Sequence, residues 1–158
     1  MPEIVPCLWF DTQAEEAAEF YVSVFPNSRI TAVDRYGEAG PRPAGTVLTA
    51  GFELDGKPFL ALNGGPEFTF SEAVSMQVFC ADQDEVDHYW TSLTADGGTE
   101  SQCGWLKDRF GFSWQVVPTR LTELLQDADP ARAQRAMKAM LSMRRIVIAD
   151  LEAAADAG

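Results

Sequence analysis

Gln102-Cys103-Gly104-Trp105-Leu106-Lys107-Asp108-Arg109-Phe110-Gly111-Phe112-Ser113-Trp114-Gln115-Val116-Val117-Pro118 holds the signals that set the architecture. A tight loop leads to Phe110-Gly111, a turn signal, and then to a strand that Pro118 ends by withholding a ladder donor. Along that strand Phe112, Trp114 and Val116 point one way, and Ser113, Gln115 and Val117 the other. The first face is apolar enough to lie under a helix. The second carries the single amide of Gln115 into an otherwise apolar surface. That pattern suits the wall of a ligand pocket, and equally a core strand whose Gln is satisfied by neighbouring backbone.

Upstream of this run the chain alternates between strand and helix patterns. Ile4 to Phe10 reads as a strand, with Pro6 requiring an edge or a bulge. Asp11 or Thr12 is the expected cap of a helix whose apolar stripe is Ala14, Ala17, Ala18, Tyr21, Val24 and Phe25, and Pro26-Asn27 stops it. Arg29 to Tyr36 is a second strand, followed by a Gly- and Pro-rich loop from Gly37 to Pro43. Thr46 to Leu54 and Lys57 to Leu62 pair as a hairpin across Asp55-Gly56. Ser75 to Ala81 is a further strand, and Asp82 caps a helix with Val86, Tyr89, Trp90 and Leu93 on its buried stripe. A short strand near Thr99 to Gln102 follows, while Leu106-Lys107 has barely a strand's length. After Pro118 the character changes, and Leu121 to Leu125, Pro130 to Met143 and Ile146 to Ala155 read as helices. The cluster Met137, Met140, Leu141, Met143 and Ile146 is adaptable apolar surface, fit to pack on the body or on a partner subunit.

Composition narrows the function classes. With 158 residues and 46% hydrophobic content, the chain can build a core without disulfide staples. Acids outnumber bases 24 to 12, a net charge of −12, which repels phosphate backbones and anionic lipid. Neither nucleic acid nor membrane is an expected partner. The N-terminus lacks the basic-then-apolar pattern of a signal peptide, so the expected location is cytoplasmic. Cys7, Cys80 and Cys103 are too few and too far apart for a disulfide framework or a zinc site. Cys7 and Cys80 read as small core hydrophobes, and Cys103, in the loop before Gly104, is the thiol to consider as reactive.

The pattern repeats. Phe10-Asp11-Thr12-Gln13-Ala14-Glu15 leading to Phe20-Tyr21 is mirrored about 70 residues later by Ala81-Asp82-Gln83-Asp84-Glu85 leading to Tyr89-Trp90. The expected fold is α+β: two βαβββ modules forming a cupped, mixed and largely antiparallel sheet with helices outside. The whole chain, 1–158, is then one domain. Module one spans about 1–66, module two about 67–118, and a helical tail 119–158.

Several of these runs carry a family likeness. They are Pro6-Cys7-Leu8-Trp9-Phe10-Asp11, Ala17-Ala18-Glu19-Phe20-Tyr21 with Phe25-Pro26-Asn27-Ser28, and Phe59-Leu60-Ala61-Leu62-Asn63-Gly64-Gly65-Pro66. Cys103 to Gly111, Trp114 to Pro118 and the tail run Ile148 to Ala154 complete the set. On these residues the chain resembles the vicinal-oxygen-chelate superfamily of paired βαβββ proteins, which includes glyoxalases, bleomycin-resistance proteins and extradiol dioxygenases. More narrowly it resembles the PhnB-like branch, often labelled demethylubiquinone methyltransferase-like. The resemblance implies a homodimer and, in metal-using relatives, a divalent ion held by His, Glu or Gln from four strands. The nearest positions here are Pro6 or Cys7, Ala61 or Asn63, Met76 or Gln77, and Gln115, with the direction of Glu53 left open. Neutral amides are poor sole ligands for a hard cation, and the one histidine, His88, lies off its helix's apolar stripe. No cofactor and no metal are therefore expected. A glycine-rich cofactor loop opening a helix is likewise missing, which counts against methyl transfer as the chemistry.

The expected site is a sheet cavity that binds a small organic molecule through Trp9, Asn63, Gln77, Phe79, Cys103, Trp105 and Gln115, since amides and indoles orient such ligands by hydrogen bonding and stacking. The alternative is a glyoxalase- or dioxygenase-type lyase or isomerase with a non-standard metal site, or chemistry through Cys103.

Overall fold

Pro6 has no N–H to give a ladder, and the first strand, β1 (Cys7–Phe10), starts just after it on the edge of a sheet. The computed structural model describes all residues from Met1 to Gly158, and they divide into two units, Met1–Phe70 and Ser71–Gly158.

In the first unit, β1 is followed by helix α1 (Ala14–Val24) and strands β2 (Arg29–Arg35), β3 (Val47–Leu54) and β4 (Lys57–Asn63). The sheet order is β1-β4-β3-β2, with β1 parallel to β4 and the other pairs antiparallel. Asp55 and Gly56 both adopt positive φ, as a two-residue turn matched to the strand twist requires. Helix α1 buries Ala14, Ala17, Ala18, Tyr21 and Val24, the stripe read from its spacing. Against it lie Leu8, Phe10, Ala50, Phe52, Leu54 and Ala61, all buried, with the Tyr21 and Phe52 rings 6.0 Å apart.

The cap of α1 differs from expectation. Neither Asp11 nor Thr12 caps the helix; Gln13 stands at the N-cap without a side-chain bond. The free N–H of Ala14 donates instead to Asn63 Oδ1 at 2.8 Å, from the end of β4. Asp11 is drawn away to Arg42, 2.8 Å distant.

The second unit repeats the plan with β5 (Ser75–Cys80), α2 (Gln83–Thr94), β6 (Thr99–Glu100), β7 (Trp105–Lys107) and β8 (Ser113–Pro118), in the order β5-β8-β7-β6. The short Trp105–Lys107 run is thus a full member of the sheet. Here the cap is local: Asp82 accepts from the Glu85 N–H at 2.9 Å, and Glu85 reaches back to accept from Ala81 N–H at 2.7 Å. Helix α2 buries Val86, Trp90 and Leu93, while Tyr89, expected on that stripe, is half-buried beside His88.

The tail forms α3 (Thr119–Leu125), α4 (Pro130–Leu141) and α5 (Ile148–Asp156). Its core is Val117, Leu121, Leu124, Ala136, Ile146, Leu151 and Ala155, with Met140 and Met143 packed against it. The break between the last two helices is wider than the expected Arg144-Arg145: α4 ends at Leu141 and not Met143, and α5 starts at Ile148 and not Ile146, because the backbone between them is claimed elsewhere. The N–H groups of Cys103 and Gly104 donate to the carbonyls of Met143 and Arg144, each at 2.8 Å. Gln83 donates to Ile146 O at 3.0 Å and accepts from Ile148 N–H at 2.8 Å. A Cβ on Gly104 would stand 2.8 Å from Val116 O, so only glycine allows this junction.

Candidate functional site

Strand alternation in the second unit divides its side chains cleanly. Met76, Val78, Cys80, Leu106, Trp114 and Val116 share the face covered by α2, whose Trp90 Nε1 donates to Glu100 at 2.7 Å. The opposite face carries two polar rows read across the ladder. One is Trp105–Gln115–Gln77, in direct register. The next is Thr99–Lys107–Ser113–Ser75. Phe79 stands beside the first row and is 57% exposed.

The amides on this face are already ordered. Gln77 Nε2 donates to Gln115 Oε1 at 3.3 Å, and Gln115 Nε2 donates to Ser75 Oγ at 2.9 Å. Gln77 remains exposed and Gln115 half-buried, so the acceptor left open on the row is the amide oxygen of Gln77, which Gln115 separates from the indole of Trp105. A recess of about 340 Å³ adjoins the rows, lined by Glu72, Thr99, Ser101, Trp105, Lys107 and Ser113, with Glu100, whose carboxylate accepts from Trp90 Nε1, and Leu106 completing its wall. Lys107 pairs with Glu72 there, and that ammonium's hydrogen bond holds the Glu72 carboxyl below the usual carboxylate range.

One carboxylate behind this face was not legible as such. Lys107 and Asp108, adjacent and opposite in charge, read as a solvated pair in a turn; the structure sends them in different directions. Asp108 is 3% exposed. Its Oδ1 accepts from the N–H groups of Phe110 and Phe112 at 2.9 and 3.1 Å, and its Oδ2 from Trp114 Nε1 at 2.9 Å. It thereby fixes the turn that launches β8 and the ring that backs the amide rows. The available signal was an Asp two residues before Phe110 and three before Gly111, since Asp side chains bond backbone two residues on.

Of the other residues expected at the site, Trp9 and Asn63 belong to the first unit and Cys103 to a loop of the second. Trp9 lies in the first unit, on the sheet face away from α1, with Nε1 donating to Gly65 O at 2.9 Å and its ring edge-on to Phe68 at 5.0 Å. Asn63 is 5% exposed, on the helix side, and both ends of its amide are engaged: Oδ1 accepts from Ala14, and Nδ2 donates to Val47 O at 3.1 Å. Cys103 sits at φ 59° in the turn that holds the tail, so strand alternation does not carry it onto the amide face. Cys7, expected in the core, is exposed, whereas Cys80 is buried and its thiol is pushed up to about 12 by desolvation and by Glu85 and Asp82. Glu53 faces away from α1, and its carboxylate accepts from Arg29 Nε at 2.9 Å. A larger recess in the first unit, about 790 Å³, is lined by Glu15, Glu16, Glu19, Arg35 and Arg42. Asn63, one of the residues expected at the ligand site, also lines this recess, which mixes charges of both signs and has no aromatic ring in its lining.

No three His, Cys, Asp or Glu side chains converge. Gln115 Oε1 is bonded to Gln77, Glu53 to Arg29 and Glu72 to Lys107. His88 is exposed on α2 against the ring of Tyr89.

Comparison with known proteins places the fold. A family profile described as 3-demethylubiquinone-9 3-methyltransferase matches residues 2–117, which is both modules without the tail. A solved PhnB protein from Bacillus cereus, provisionally assigned the same methyltransferase description, is 35% identical, with a TM-score of 0.67 over 74% of this chain and 99% of that one. A protein from Pseudomonas aeruginosa is 21% identical, with a TM-score of 0.61 over 75% and 98% of the two chains. The fosfomycin resistance protein FosX from Listeria monocytogenes is 12% identical, with a TM-score of 0.51 over 75% and 93%. These last two likenesses are of fold alone. No protein of curated function matches. With its two βαβββ units and the matched residues 2–117, the chain belongs to the 3-demethylubiquinone-9 3-methyltransferase-like family, the PhnB-like branch of the vicinal-oxygen-chelate superfamily.

Proposed function

We propose that this chain binds a small organic molecule on the open face of its second sheet, without a divalent ion, and that the flat part of the ligand lies along Trp105, Gln115 and Gln77. The observation that carries the reading is the register row itself: an indole and two ordered amides side by side on the sheet face opposite α2. Such a row offers a ring to stack on and both a donor and an acceptor to orient polar atoms. It supplies no base poised near neutrality.

Methyl transfer draws no support from the glycines. A Cβ on Gly64 would stand 2.4 Å from the Trp9 ring, so Asn63-Gly64-Gly65 serves to seat that indole. The Gly37–Gly45 segment joins β2 to β3 and opens no helix. The same reading takes the protein as a cytoplasmic homodimer, in keeping with the exposed Val33, Phe79 and Leu141; light scattering that gives a monomer at micromolar concentration would remove that part.

Benzamide is the matching probe, since it joins a flat ring to a group that complements a glutamine amide. Calorimetric titration should show benzamide binding to the wild-type chain and a loss of about tenfold in Gln115→Ala, the size of one net hydrogen bond. Gln115→Ala should retain the wild-type circular dichroism. Equal affinity in the two proteins would move the site elsewhere.

A further inference from the structure

The row next to the amides contains a group with nothing to bond. Ser113 is 0% exposed, and its Oγ makes no hydrogen bond. A buried hydroxyl in that state carries an uncompensated desolvation cost. It lines the recess of about 340 Å³ already described, a size within the range of small-ligand sites. Its register neighbour across the β7–β8 ladder is Lys107, and the neighbour of Lys107 on β6 is Thr99. Side chains paired in this way start about 5 Å apart. A hydroxyl proton and an ammonium therefore serve the same space, two donors with one acceptor to share.

That acceptor is at present supplied by the chain. Glu72, in the exposed run before β5, places its carboxylate on Lys107. The two side chains are 61% and 41% exposed, and pairs so exposed contribute little to stability, so they exchange readily. Glu72 thus marks where a carboxylate reaches Lys107, while Ser113 Oγ, the ladder neighbour of Lys107, has no partner.

We infer that this recess takes the carboxylate of a flat organic acid, with Ser113 Oγ and Lys107 Nζ as its donors, and that Glu72 is a built-in competitor for the same ammonium. The inference rests on the ligand reading given for this sheet face and extends it: the ring of the acid lies over Trp105 toward Gln115, and its charged head replaces Glu72. Glu72 swings outward with its loop when the ligand enters.

Benzoate and benzamide, equal in shape and different in charge, test this on the full chain by calorimetric titration. Benzoate should bind more tightly than benzamide. Glu72→Gln should tighten benzoate by about two- to fivefold, the effect of removing one exposed competing ion pair. Lys107→Met and Ser113→Ala should each weaken benzoate and leave benzamide unchanged, with circular dichroism confirming the fold of each variant. The inference is overturned if benzoate shows no preference over benzamide, or if Glu72→Gln fails to tighten it. Benzamide binding that depends on Gln115, without any benzoate preference, sinks the carboxylate site and keeps the face as a ligand site. Binding of neither probe sinks both.

Discussion

Asp108→Ala should destabilise the second unit by about 4 kcal/mol, the scale of an uncompensated loss in a buried charged network. The carboxylate is 3% exposed and accepts from two backbone N–H groups and one indole N–H. Alanine removes the acceptor of all three donors, two of them in buried bonds, and it releases the turn that aims β8. Asp108→Asn is the informative companion. It keeps a carbonyl oxygen for the Phe110 and Phe112 N–H groups but turns an amide N–H toward Trp114 Nε1, donor against donor, for a loss of about half as much. Urea denaturation followed by near-ultraviolet circular dichroism measures both, since Trp114 is 2% exposed and its signal depends on this packing. A loss under about 1 kcal/mol for Asp108→Ala, the ordinary range for a surface change, would show that the carboxylate is not the pivot of the turn.

Asn63→Ala should cost about 2–3 kcal/mol in the first unit, because it orphans the Ala14 N–H at the start of α1 and the Val47 carbonyl together. Asn63→Asp should fall between alanine and wild type. It still accepts from Ala14, with a negative charge well placed at a helix N-terminus, but it sets an oxygen against Val47 O. The readout that separates a packing role from a ligand role is benzamide affinity, measured on folded variant protein. It should equal that of the wild type in Asn63→Asp; a tenfold loss with unchanged stability would return Asn63 to the ligand site.

The contrast between these two residues and the glutamines shows what residue order could reveal. Alternation alone separated Ser113, Gln115 and Val117 from Trp114 and Val116, and the ladder bears this out residue for residue. The α1 stripe and the Asp55-Gly56 turn were legible for the same reason: each is set by neighbours within a few positions. The bond of Asn63 to the start of α1 was not legible because its partner, Ala14, is 49 residues away, and nothing local marks an amide as a helix cap from a distant strand. Asp108 looked solvated because adjacent opposite charges usually are, while the fold puts Lys107 on the strand face and Asp108 inside the turn. The end of α4 failed in the same manner, since the carbonyls of Met143 and Arg144 answer to a loop some 40 residues earlier, beyond the reach of helical periodicity. Glu53 needed the register with Arg29 to acquire a direction.

The side-chain amide signals of Gln77 and Gln115 and the indole N–H of Trp105, followed by ¹H–¹⁵N NMR, test the account at the site itself. Benzamide added to the full chain should shift all three together, and one equivalent of Mn²⁺ added to the free protein should leave their line widths unchanged relative to the rest of the spectrum. Selective broadening of Gln77 and Gln115 by Mn²⁺, with no response to benzamide, would show a metal centre where the account places an organic ligand.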